Sequence, residues 1–182
     1  MNKILTLTAL LLACLACKTP EARKPESVRT GSFIDASVER NKKLNAKEQA
    51  LIEHIISKNG DNTYIASENG FWYHYNTKTD EATGFTPKYG DIVNFSYNLK
   101  DLKGNFIYPE TNFKNLDYAM DRQELFTGLR EGLKLMKSGE TVTFLFPSQK
   151  AYGYYGDENK IGTNVPLICE VTVNSITKSQ EN

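Results

Sequence analysis

The chain has 182 residues, and its 22 Lys plus Arg balance 22 Asp plus Glu, so the formal net charge is zero. That length gives one ordinary domain with residues to spare, and the neutral balance removes the electrostatic case for nucleic acid as a partner. Hydrophobic residues make up 40% and aromatic residues 11% of the sequence, enough to build a packed core.

The first segment reads as a leader. Lys3 precedes an apolar run from Ile4 to Ala16, too short to span a bilayer and long enough for a signal-peptide core. A basic start, an apolar core and a small residue before a cysteine resemble a bacterial lipoprotein signal, in which that cysteine becomes the lipidated first residue. Residues 1–16 are then the signal, and Cys17, where polarity begins, is the expected lipid site. Cys14, which follows "LLA", is the alternative, and an ordinary cleaved signal is a further reading. Residues 17–34 hold Pro20, Pro25 and alternating charges, and are expected to be a flexible tether to a membrane. Cys169 is the one cysteine beyond the leader, so no disulfide is expected within the domain.

The segment 35–59 predicts a helix from about Asp35 to Ser57. Asn45 is placed to cap its better half, with Glu48 three residues on as in a capping box. Leu51, Ile52, Ile55 and Ile56 form an apolar stripe, and Gly60 is a natural stop. The stripe is expected to pack on the chain's own domain, which favours a monomer; the other reading is a dimer or partner helix. His54 lies beside the stripe as a solvated residue, and neither it nor His74 has ligand spacing for a metal.

The period then changes, and residues 60–178 are read as the main domain. "TYIASENGFWYHY" holds two β-prone runs joined through Asn69-Gly70, a hairpin signal. "IVNFSYNL" alternates Val93, Phe95, Tyr97 and Leu99 against polar residues, as a half-buried strand does. "LFTGLREGLKLM" sets Leu129, Leu133 and Met136 at helical spacing, with Gly139 just past the end. "TVTFLF" puts Val142, Phe144 and Phe146 on one face, and "LICEVTVNSI" does the same with Leu167, Cys169, Val171 and Val173. About five strands and one short helix make an α+β layout, preceded by the N-terminal helix.

No nucleophile elbow, phosphate-binding glycine loop or clustered metal ligands occur, and no cofactor is expected. Chemistry here must need neither a nucleophile nor a strong acid or base, and rotation about the bond preceding proline is one reaction that qualifies. "GDIVNFSYNLKDLKGNFIY", "ELFTGLREGLKLMKSGE", "FLFPSQKAYGYYG" and "IGTNVPLICEVTV" stand in the order found in FKBP-type peptidyl-prolyl cis-trans isomerases, and the sequence resembles that family over residues 64–176. With the leader and the preceding helix, it looks like the gliding-motility-associated isomerase lipoproteins of the Bacteroidota.

The resemblance implies a twisted antiparallel sheet wrapped around the short helix, with a substrate pocket between them. It places Leu129 at the pocket floor, where the family usually has tryptophan. It places Tyr97, Ile107, Leu116, Leu125, Phe126, Ile161 and Cys169 in the walls. Tyr152 would aim its hydroxyl at a substrate carbonyl, and the backbone N–H of Phe126 would donate to another. Tyr108 stands where the family often has Asp, and the small residues at 107, 116, 129 and 169 imply a wider pocket with weaker macrolide binding. The implied function is isomerisation of proline-containing segments of envelope proteins, assisting their folding, from a lipid anchor on a membrane facing the periplasm. The alternatives are a catalytically weak binding or chaperone module using the same groove, and aromatics that serve only as core.

Overall fold

The structure, a computed structural model, describes residues 30–60, 62–80 and 84–179. The leader, Cys14, Cys17 and residues 17–29 of the expected tether lie outside the described residues. The chain divides after Val38 into two units. In the first, residues 30–38 are helical, so the helix begins within the segment expected to be a tether.

Helix α1 spans Thr30–Lys58. It runs unbroken through Asn45, which is therefore not a cap. Inside a helix the backbone N–H at that position already has a partner, and the Glu48 carboxylate is bonded elsewhere, to Ser148. Within the second unit, the face at Leu44, Asn45, Glu48, Ile52, Ile55 and Ile56 is buried or half-buried, at the i, i+4, i+8 spacing of one helix side. Leu51 of the expected stripe points to solvent instead.

The seven strands are β1 (Ile65–Ala66), β2 (Trp72–Thr77), β3 (Ile92–Lys100), β4 (Phe106–Tyr108), β5 (Leu116–Ala119), β6 (Thr141–Phe146) and β7 (Leu167–Thr177). All pair antiparallel, in the order β1-β2-β6-β7-β3-β4, with β5 also on β3. The expected hairpin forms: Ser67 N–H donates to the Phe71 carbonyl and Gly70 N–H to the Ser67 carbonyl, setting Ile65 opposite Tyr73. β7 lies between β6 and β3, and Leu167, Cys169, Val171 and Val173 are all buried, as their alternation requires.

Helix α2, Thr127–Leu133, packs on the core with Gly128, Leu129, Gly132 and Leu133 buried. Two glycines let it approach β6 closely. A Cβ on Gly132 would lie 2.9 Å from the Phe144 ring, and one on Gly128 only 2.6 Å from the Phe146 ring and the Lys150 carbonyl. Phe144 and Phe146 stack at 5.3 Å, with Phe71 edge-on to both. The opposite side of β6 is closed as well. Leu145 is fully buried outside the main core, and so is Ile52. The Glu48–Ser148 contact ties the second half of α1 to the turn that follows β6. Full burial of one isoleucine contributes about 2 kcal/mol.

Candidate functional site

A cleft of about 620 Å³ opens between β3, the start of α2 and the turn after β6; Tyr97, Gln123, Glu124, Leu125, Phe126, Arg130 and Tyr152 line it. One side is aromatic and apolar. Phe126 packs its ring 5.1 Å from Tyr152 and edge-on to Phe146, which fixes the lip of α2 against the core. The other side is polar. Arg130 follows Phe126 by one helical turn, and its Nε lies 3.6 Å from Asp121 and 3.8 Å from Glu131. At those distances the buried Nε makes no hydrogen bond.

Burial pushes the Tyr152 hydroxyl up to about 12, with the Asp157 charge adding to the effect. Burial also raises Tyr97, helped by Tyr152, and raises the Cys169 thiol. The two tyrosines are therefore protonated at neutral pH and can donate. Among the described residues the Tyr152 hydroxyl makes no hydrogen bond of its own, which leaves its proton for a ligand.

Four of the nine expected residues meet in this cleft: Tyr97, Leu125, Phe126 and Tyr152. The other five are not among its lining residues. Leu129 and Cys169 have no exposed surface and Ile161 almost none; all three belong to the core beneath the cleft. Leu129 lies on the buried side of α2 with Gly128, Gly132 and Leu133. Ile107 on β4 is half-buried against the core, and Leu116 is exposed on β5 opposite Phe95. Phe113 stacks parallel on Tyr97 at 4.3 Å and leans on Tyr108 at 5.4 Å, closing the wall beside Tyr97 with an aromatic layer. Gln123, Glu124, Arg130 and Phe113 escape sequence reasoning. Arg130 had a usable signal, its i+4 spacing from Phe126, whereas "YPETNFKN" around Phe113 has no period to read.

Tyr108 finds its own partner. Its hydroxyl donates to Asp157 Oδ2 at 2.6 Å, and Oδ1 accepts the N–H groups of Ile161 (2.7 Å) and Asn159 (3.0 Å). Burial pushes the Asp157 carboxyl up, but the hydrogen bonds from Tyr108, Ile161 and Asn159 outweigh it and hold the group below its ordinary value. A carboxylate is thus supplied by the tyrosine-rich loop, facing a tyrosine on the strand. Gly156 has a φ of +71°, and a side chain there would collide with the Ile161 carbonyl, so the loop folds back on itself only with glycine. Tyr154 and Tyr155, at 70% and 85% exposure, stand out from that loop.

A model of the family described as FKBP-type peptidyl-prolyl cis-trans isomerase matches residues 84–174. The FKBP-type peptidyl-prolyl cis-trans isomerase FkpA of Neisseria meningitidis serogroup B is 27% identical over 125 residues, 69% of this chain and 43% of that protein. The chain therefore spans less than half the length of this curated relative. Among solved structures, a peptidyl-prolyl cis-trans isomerase from Pseudomonas syringae pv. tomato matches with a TM-score of 0.61 at 20% identity, over 75% of this chain and 96% of that one. FkpA from Escherichia coli matches with a TM-score of 0.60 at 22% identity, over 96% of this chain and 82% of that one. These structures share the fold. The half of the sequence that the family model matches is the half that builds the cleft from Tyr97 to Tyr152, and the chain belongs to the FKBP-type peptidyl-prolyl cis-trans isomerase family.

Proposed function

We propose that this protein catalyses cis-trans isomerisation of X-Pro bonds in the cleft between α2 and the sheet. The observation that carries this reading is Tyr152, a protonated hydroxyl beside Phe126 and Tyr97 with no partner of its own among the described residues. The barrier to rotation comes from amide resonance, which is lost in the twisted transition state. The twisted amide is less polar than the planar one, so an apolar wall at Tyr97, Leu125 and Phe126 favours it. A hydroxyl donated to a neighbouring carbonyl holds the chain turned, and the Phe126 N–H, free of backbone partners among the described residues, supplies a second donor. Neither contact transfers a proton; both raise the rate by favouring the turned chain in which the amide twists over the extended planar one.

The apolar wall gives a preference for an apolar residue before the proline. The polar side at Gln123, Glu124 and Arg130 suits the solvated backbone that flanks it. The pattern of residues 1–17 supports a role at the cell envelope, with Cys17 lipidated and exported proteins as substrates. Service to a gliding apparatus rests on the sequence resemblance alone.

The test is a protease-coupled assay on proline peptides with wild type and Tyr152→Phe. Wild type accelerates isomerisation. Tyr152→Phe loses one donor and little volume, at a cost of about 1 kcal/mol, or roughly fivefold in kcat/KM. A well-folded wild type without activity replaces the enzyme by a binding module. For the anchor, Cys17→Ser releases the protein from membranes on fractionation; a variant still bound and lipid-labelled moves the site to Cys14.

A further inference from the structure

We propose that Glu48 is a positioning residue for the cleft: through Ser148 it fixes the turn that carries Tyr152, a role that rests on the donor reading of Tyr152 given above. Glu48 is 3% exposed, and a carboxylate at that depth is costly unless its oxygens are bonded. Both oxygens are bonded, and to the same residue. Oε2 accepts the Ser148 N–H at 2.8 Å and Oε1 the Ser148 hydroxyl at 2.7 Å. Docking a helix does not require this arrangement, since Ile52, four residues further along the same face, does it by apolar burial alone.

What Ser148 holds makes the difference. It opens the 3-10 turn Ser148–Lys150. Its carbonyl accepts the N–H groups of Ala151 (3.0 Å) and Gly153 (2.8 Å), the two neighbours of Tyr152. The turn is pressed from the other side by α2, where Gly128 meets the Lys150 carbonyl. The peptide group whose N–H Glu48 accepts carries the Pro147 carbonyl, which takes the N–H groups of Lys150 (2.9 Å) and Ala151 (3.2 Å), and a carboxylate at its head strengthens those bonds; fixing Ser148 also fixes its own carbonyl, which holds both sides of the tyrosine. Among the described residues the Tyr152 hydroxyl has no bond of its own, so its place is set by its backbone and by the Phe126 ring. A shift of about 1 Å in that backbone moves the donor out of reach of a substrate carbonyl.

The experiment compares wild type, Glu48→Gln, Glu48→Ala, Tyr152→Phe and Glu48→Ala/Tyr152→Phe on the full chain. It reads kcat/KM on a proline peptide, and amide hydrogen exchange at Ala151 and Gly153. Glu48→Ala is expected to speed exchange at both amides by about tenfold and to lower kcat/KM about fivefold. Glu48→Gln keeps one acceptor and recovers part of both losses. In the Tyr152→Phe background, Glu48→Ala costs no further rate, because the group it positions is gone. Unchanged exchange at Ala151 and Gly153 in folded Glu48→Ala overturns the proposal, and so does full additivity in the double variant. Should Glu48→Ala fail to fold, the same two readouts on Glu48→Gln decide. If Tyr152→Phe slows isomerisation and the Glu48 variants do not, this inference alone falls. If Tyr152→Phe leaves the rate untouched, the donor reading falls and takes this role with it.

Discussion

At the scale of single residues, Leu129 separates packing from recognition. It occupies the place where a larger ring is expected at a pocket floor, yet it has no exposed surface and ends within the core. Leu129→Trp therefore adds volume to a filled core. The expected outcome is a loss of about 2 kcal/mol of stability, seen as a lower Tm, in place of a tighter macrolide complex. A variant as stable as wild type that binds the macrolide more tightly would restore Leu129 to the cleft. Tyr108 and Asp157 teach a related lesson. The residue types at one sequence position suggest a lost carboxylate, while the fold supplies one from a loop 49 residues away.

At the scale of elements, α1 is the part of the molecule whose docking is most easily tested. Ile52→Ala leaves a cavity under a fully buried side chain and is expected to cost about 3 kcal/mol, read by thermal or urea melts. A change below about 0.5 kcal/mol would mean that α1 contributes no stability to the domain. Elements with sustained alternation were legible in the sequence: β3, β6 and β7 follow their apolar period, and the Asn69-Gly70 hairpin forms. β4 and β5 were not, because "FIY" and "LDYA" are too short to show a period of two. In α1 the local pattern misled. Asn45 and Glu48 have the spacing of a capping box, but Ser148, one hundred residues on, supplies the donors, and no local pattern records that. In the cleft, Leu125, Phe126 and Tyr152 come from the fixed motifs of the sequence, whereas Phe113 arrives by tertiary stacking on Tyr97.

At the scale of the whole molecule, four groups that titrate below neutral pH, His74, Asp91, Asp101 and Asp157, give the stability a pH dependence of one sign. Burial lowers the pKa of His74, whose ring stands edge-on to Tyr64 at 4.6 Å, below 6.5. The backbone N–H groups of Lys88 and Ser179 hold the Asp91 carboxyl below 3.8, where Asp157 is also held. In each case the unfolded state takes up its proton at higher pH than the folded state does, so stability falls as pH falls. Tm is expected to decline first below about 6.5 and then more steeply below about 4, and His74→Gln should remove the first decline. Melts of the two proteins across that range check it; an unchanged first decline would assign it to another group. The sheet order has a consequence for how the molecule comes into being. The central strand, β7, is the last to be made, and β6 and β3 each need it as a partner. Until β7 has emerged from the ribosome, no strand joins the two halves of the sheet. The sheet closes only when β7 takes its place between β6 and β3, so its central contacts, long-range in sequence, are the late ones to form.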